Sequence, residues 1–170
     1  MNNITNNSNW DAHSFFGWCV SHNKLARQRE FLECQVSGLE GFEEALGHLQ
    51  NTTNFVCVSD TSQGFIELNN TPHTRRIKTV FMAMRHAIDD MDARAQCMDT
   101  MQELFRQFMS KLIREKVKLE LNHIYLDSRI TFYEIDRYFF SGCACAYFQI
   151  SADVYTDMCL DEEEWIEEGD

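Results

Sequence analysis

Thiols, imidazoles and carboxylates are the side chains that hold metals or start nucleophilic chemistry, and this chain carries many of them. Cys143 and Cys145 stand two apart, and on a β-strand such residues point the same way, so both sulfurs address one point. A structural zinc there needs two further ligands, and His123 and Cys159 are the nearest in sequence. No CxxC or HxxxH spacing accompanies the pair, and small residues packed on a strand face explain it equally. Asp89-Asp90-Met91-Asp92 offers carboxylates to a divalent cation but lacks a fixed ligand loop. Capping and dipole compensation at a helix start account for the same residues. The six histidines (His13, His22, His48, His73, His86, His123) are scattered, with no nucleophile elbow, HExxH helix or kinase loop around them. No Gly-rich loop is present to cradle a phosphate. The chemistry-bearing residues therefore predict no catalytic site, no cofactor and no resident metal.

The elements that must position these residues fit one domain. The 170 residues, 44% hydrophobic with 13 Phe and a single Pro, are enough to bury a core. No stretch approaches the length of a membrane span. Residues 1–9 are polar and Asn-rich, read as a disordered leader and not a secretory signal, which makes the cytosol the default compartment. Seven cysteines without such a signal read as reduced thiols packed like small hydrophobes. The net charge of −12 is uneven: residues 157–170 hold eight acids and no base, so the body carries about −4. Only Arg106 to Lys118 offers clustered positive charge, which argues against direct nucleic-acid recognition.

Hydrophobic spacing predicts a helix over Trp10 to Asn23, capped by Asn9 or Ser8, and a strand over Arg29 to Ser37. A helix over Leu39 to Gln50 and strands over Phe55 to Val58 and Gln63 to Leu68 follow. Arg75 to His86 reads as a long strand, with a helix as its alternative over 77–86. From about Asp90 to Lys116, Met91, Ala95, Met98, Met101, Phe105, Phe108 and Leu112 recur at helical steps. Arg129 to Phe139 and Cys143 to Tyr155 are the final strands. In the second, Ala144, Ala146, Phe148, Ile150, Ala152 and Val154 alternate with polar or smaller residues, predicting one buried face. The expected fold is α+β: an antiparallel sheet with one long helix packed on a face, plus shorter N-terminal helices. The expected domains are a leader at 1–9, an α+β body at 10–156 and an acidic tail at 157–170.

Three local features carry a resemblance. Gly41-Phe42-Glu43-Glu44-Ala45-Leu46 opens a helix that leads into Phe55-Val56-Cys57-Val58; a long strand and a long helix follow; the end reads Asp136-Arg137-Tyr138-Phe139, Gly142, Phe148-Gln149-Ile150-Ser151-Ala152 and Asp157-Met158-Cys159. Over roughly residues 28–160 this layout is similar to small tail-completion and tail-terminator proteins of tailed bacteriophages, those of Bacteroidetes phages or prophages in particular. The resemblance implies a non-enzymatic virion protein forming a ring, commonly six-fold, at the head-proximal end of the tail. Its implied partners are its own copies, the tail tube protein and head-side connector or neck proteins, with no membrane involved. Its implied location is the virion, after assembly in the host cytoplasm. The aromatic segment with Trp10, Phe15, Phe16 and Trp18 departs from that layout.

Candidate interaction residues follow from this sequence. The segment from Asp60 to Arg75 is the natural reaching element, with Asp60, Gln63, Pro72, His73, Arg75 and the adjacent Arg76 on it. The tail supplies Asp161, Glu162, Glu163 and Glu164, and Trp165 and Ile166 as apolar anchors within the acidic run. Two other functions suit the sequence: an adaptor or inhibitor acting through the acidic tail, and a small metalloprotein centred on Cys143 and Cys145.

Overall fold

The computed structural model describes residues 10–48, 54–60, 63–68, 72–87, 89–135 and 142–165. The expected leader, Ile166 and the Asp136-Arg137-Tyr138-Phe139 segment lie outside the described residues. In chain order the elements are α1 (Ala12–His22), α2 (Lys24–Gln28), β1 (Phe31–Val36), α3 (Gly38–His48), β2 (Asn54–Ser59), β3 (Gln63–Glu67), β4 (His73–Arg85), α4 (Met91–Leu121), β5 (Ile124–Leu126), β6 (Phe132–Ile135) and β7 (Cys143–Tyr155). A 3-10 turn over Glu162–Glu164 follows.

Two 13-residue strands, β4 and β7, form the spine of the sheet, paired antiparallel along their whole length from His73↔Tyr155 to Arg85↔Cys143. The β-branched and aromatic residues of 77–84 decide between the two readings of that segment, and it is strand. Each spine strand is flanked by two short ones. β3 pairs the first half of β4 and β2 the second, while β6 pairs the first half of β7 and β5 its end. The fold is α+β as expected, and its sheet is mixed, because β1 runs parallel to β2. The α3 helix between them is the crossover that a parallel pair requires.

Alternation along the spine divides two cores. Even-numbered residues of β4 and β7, including Val80, Met82, Ala144, Ala146, Phe148 and Ile150, pack beneath α1 and α4. Odd-numbered Phe81, Ala83, Cys143 and Cys145 face the other way, beneath Phe42 and Leu46 of α3. Asp90 caps α4, its carboxylate accepting a hydrogen bond from the Ala93 amide at 2.8 Å, which is the role expected of this acidic run. The helix buries Met98, Met101, Leu104, Phe108 and Leu112. Met91 and Ala95, expected on that stripe, are exposed because the first turns overhang the sheet. At 31 residues it is about 46 Å long and runs past Lys116 to Leu121.

The N-terminal aromatics find their place here. Phe16 is wholly buried, with ring centroids 5.5 Å from Phe148 and 5.9 Å from Phe108, so α1 lies beside α4 and completes the covered face. Its cap is Asp11, not Asn9 or Ser8: Trp10 stays outside the helix, and the Asp11 carboxylate accepts from the Ser14 amide at 3.2 Å. One expectation about the thiols is overturned. Cys34 and Cys57 stand opposite each other across the β1–β2 pair and are joined as a disulfide, a consequence of register that spacing alone does not reveal. Cys19, Cys97, Cys143, Cys145 and Cys159 are free.

Candidate interaction surface

The α3 helix covers the second sheet face over β1, β2 and the adjoining ends of β4 and β7, from Phe81 and Cys145 outward. Beyond it no described helix meets the odd-numbered residues of β4 and β7, and the chain has placed aromatic and amphipathic side chains there. Tyr133 of β6 stands opposite Tyr147 of β7 and stacks on it, with ring centroids 4.9 Å apart. A groove of about 520 Å³ beside this stack is lined by Leu39, Gln63, Ile77, Thr79, Glu134 and Gln149 among others. Toward the far end of the spine a second groove of about 550 Å³ lies between Pro72, His73, His123, Tyr125, Asp153 and Tyr155. Four tyrosines thus line one open face, and Tyr125, Tyr133 and Tyr155 are about half exposed.

Register builds a polar row across this face. Phe65, Arg75, Asp153 and Tyr125 are neighbours on β3, β4, β7 and β5 in turn. Arg75 donates from Nε and Nη2 to the two Asp153 oxygens, both at 2.7 Å, and its guanidinium lies 5.6 Å from the Phe65 ring centre. These bonds hold the Asp153 carboxyl below its ordinary value and raise that of Arg75. One row further, His73 Nε2 lies 3.3 Å from Glu67 Oε2, opposite Tyr155. The arrangement is a sheet surface with two charge pairs, Arg75–Asp153 and His73–Glu67, on adjacent strands.

Beyond the end of β2, β3 pairs the first half of β4 as a hairpin ribbon and forms the outer edge of the sheet. Gly64 is required in it: a Cβ there would lie 2.1 Å from the Arg75 carbonyl oxygen. Phe65 and Ile66 point to opposite faces of β3, and both are about half exposed, as is expected of a strand with no layer above or below. The segment from Asp60 to Arg75, expected as a reaching element, contains β3 and the start of β4, and its residues 61–62 and 69–71 lie outside the described residues.

The structure brings together some of the candidate residues and separates others. Gln63, Pro72, His73 and Arg75 sit on the open face. Asp60 lies at the end of β2, where its carboxylate accepts from the Ser37 hydroxyl at 2.9 Å. Arg76 points to the opposite face, beside Trp10 and Lys78, because neighbouring strand residues alternate. Asp161 caps the 3-10 turn of Glu162–Glu164, accepting from the Glu163 amide at 3.0 Å, and Trp165 is exposed after it. Sequence reasoning missed Tyr125, Tyr133, Tyr147 and Tyr155. Their signal was the odd-numbered register of β7, which was read for what it buries and not for what it presents.

The residues weighed for metal binding are dispersed. Cys143 and Cys145 lie buried under α3; their thiols hydrogen-bond each other, which lowers Cys143 and, with burial, raises Cys145. Cys159 is exposed on the C-terminal arm, and His123 borders the tyrosine groove. Among the described residues no three His, Cys, Asp or Glu side chains converge on one point. Nor does any described helix have the length and apolarity to cross a membrane. No known family model matches the chain, and no curated protein matches it significantly.

Proposed function

We propose that this chain is a virion structural and assembly protein of a tailed bacteriophage, a tail-completion or tail-terminator subunit. It forms a ring, a hexamer, at the head-proximal end of the tail, between the tail tube protein and the head-side connector or neck proteins. It assembles in the host cytoplasm, remains in the virion, and performs no covalent chemistry. The observation that carries this reading is the asymmetry of the sheet. One face is sealed by α1 and α4, whereas half of the other presents tyrosines, paired charges and an edge ribbon. Tyrosine joins a large apolar area to low conformational entropy and a polar tip, and is enriched where proteins meet. The ribbon and the open face are different patches, and contact between unlike patches gives a ring where the rotation closes and a filament where it does not.

Negative-stain imaging of the purified protein, alone and mixed with tail tubes, tests the proposal. Closed rings, and caps at one end of each tube, are the expected images. Particles without rings and tubes with bare ends would overturn it. The exposed acidic arm favours one other reading, an adaptor or inhibitor holding a basic partner. That reading expects a partner whose binding is lost on deletion of 157–170 and weakens steeply with salt.

A further inference from the structure

Toward its C-terminal end the α4 helix packs on the core through Leu112 and Leu119 and turns a second apolar stripe outward. Its last buried residue is Leu112, yet it continues to Leu121, and on that extension Ile113, Val117 and Leu121 are 69%, 63% and 78% exposed. Steps of four place the three on one stripe. Arg114 and Lys118 flank it on one side and Lys116 on the other. Beside the stripe a groove of about 290 Å³ runs between α4 and the segment after β5, walled by Phe105, Met109, Leu112, Leu126 and Ile130. The stripe is apolar, with Arg114 at its margin and Lys116 and Lys118 paired to Glu120 at 3.6 Å and Glu115 at 3.1 Å of the same helix, and no described element covers it.

The C-terminal arm has the complementary character. From Asp157 onward it carries eight acids and no base, interrupted by Met158, Leu160, Trp165 and Ile166. Leu160 is 71% and Trp165 68% exposed, so neither is spent on the chain's own body. From Leu160 to Trp165 the arm spans between about 10 Å with a 3-10 rise and about 17 Å extended. Ile113 to Leu121 covers about 12 Å.

We infer that the arm of one copy straps onto the α4 extension of the next. Trp165 fills the groove beside Ile113, Leu160 covers Val117 and Leu121, and the surrounding carboxylates meet Arg114 and share Lys116 and Lys118 with Glu120 and Glu115. The occupant is a second copy because the chain's own arm and its own stripe are exposed at the same time. The carboxylate of Asp127, at the edge of the groove, offers an acceptor to the indole N–H. The inference rests on the self-assembly proposed above and names one contact within it.

The test uses the full chain. Sedimentation velocity is run on wild type, Ile113→Asp, Trp165→Ala and the double variant, with circular dichroism to establish that each is folded. Each single change is expected to weaken self-association about ten-fold or more, with the double no weaker than either, because both remove the same contact. Raising salt from about 50 mM to about 500 mM should weaken wild type more than the variants. A wild type that assembles while the variants match it, or add independently, overturns the arm contact and leaves the ring. A wild type that never self-associates overturns both. A second variant fixes the occupant: oxidised Val117→Cys should bridge to Cys159 between chains, giving a ladder of multiples of the chain mass on a non-reducing gel. The same bridge formed within one chain shows the arm closing on its own body and overturns the inference.

Discussion

Phe148→Ala removes a ring that lies at the junction of three elements. Phe148 is wholly buried on β7, with ring centroids 5.5 Å from Phe16 of α1 and 5.0 Å from Phe105 of α4. Two of its neighbours are rigid aromatics and a third layer is strand backbone, so the site collapses poorly around a void. The transfer loss and the cavity together cost about 3–5 kcal/mol. For a chain of this length that lowers the melting temperature by roughly 10 °C. The next residue provides the control. Tyr147 points to the open face, where it stacks on Tyr133, and Tyr147→Ala should cost only about 1 kcal/mol, the worth of an aromatic pair. Urea unfolding of the two variants, followed by far-ultraviolet circular dichroism, measures both losses. Equal losses, or a larger one for Tyr147→Ala, would refute the assignment of covered and open faces.

Other consequences are local. Gly64→Ala drives a methyl into the Arg75 carbonyl, so β3 should detach from β4 and assembly should fail, while the urea midpoint stays within about 1 kcal/mol of wild type; intact rings from this variant would contradict the ribbon's role. The Arg75 bonds keep Asp153 ionised below its usual value, so their stabilisation is complete above about pH 3.9, the unfolded-state value, and fades as pH falls through the folded one. Acid titration of Asp153→Asn should therefore show a shallower loss of stability below pH 4 than wild type; parallel curves would remove the pair from the acid limb. Thiol titration of the denatured, unreduced chain should count five groups, matching the five free cysteines. Seven would show that Cys34 and Cys57 are not bridged.

The strongest periodicities in the sequence became the strongest elements. Alternation from Ala144 to Val154 marked the buried side of β7, and the Met and Phe steps from Met98 to Leu112 marked the covered side of α4. Both signals are local, set by the pitch of one element. What stayed hidden depends on pairing between distant segments. Nothing within Phe31–Val36 or Asn54–Ser59 says that the two run parallel, or that Cys34 meets Cys57. Two long strands longer than their outer neighbours leave half a face bare, and only the register shows that four tyrosines gather there. Ile113, Val117 and Leu121 stay hidden for another reason: Ile113 is out of phase with the helix's buried stripe, and Val117 and Leu121 lie past Lys116, where the spacing predicts the helix to end. The Asp60 to Arg75 segment was placed as the reaching element, while its ribbon geometry follows from β4 being long enough to pair both β2 and β3.

The most direct test of the central claim is the mass of the purified particle by light scattering during size exclusion. A chain of 20.0 kDa should give about 120 kDa for a six-fold ring, falling toward a single chain when Tyr147→Asp places a charge on the open face. A 20.0 kDa particle at every concentration, unchanged by tail tube protein, would contradict the account.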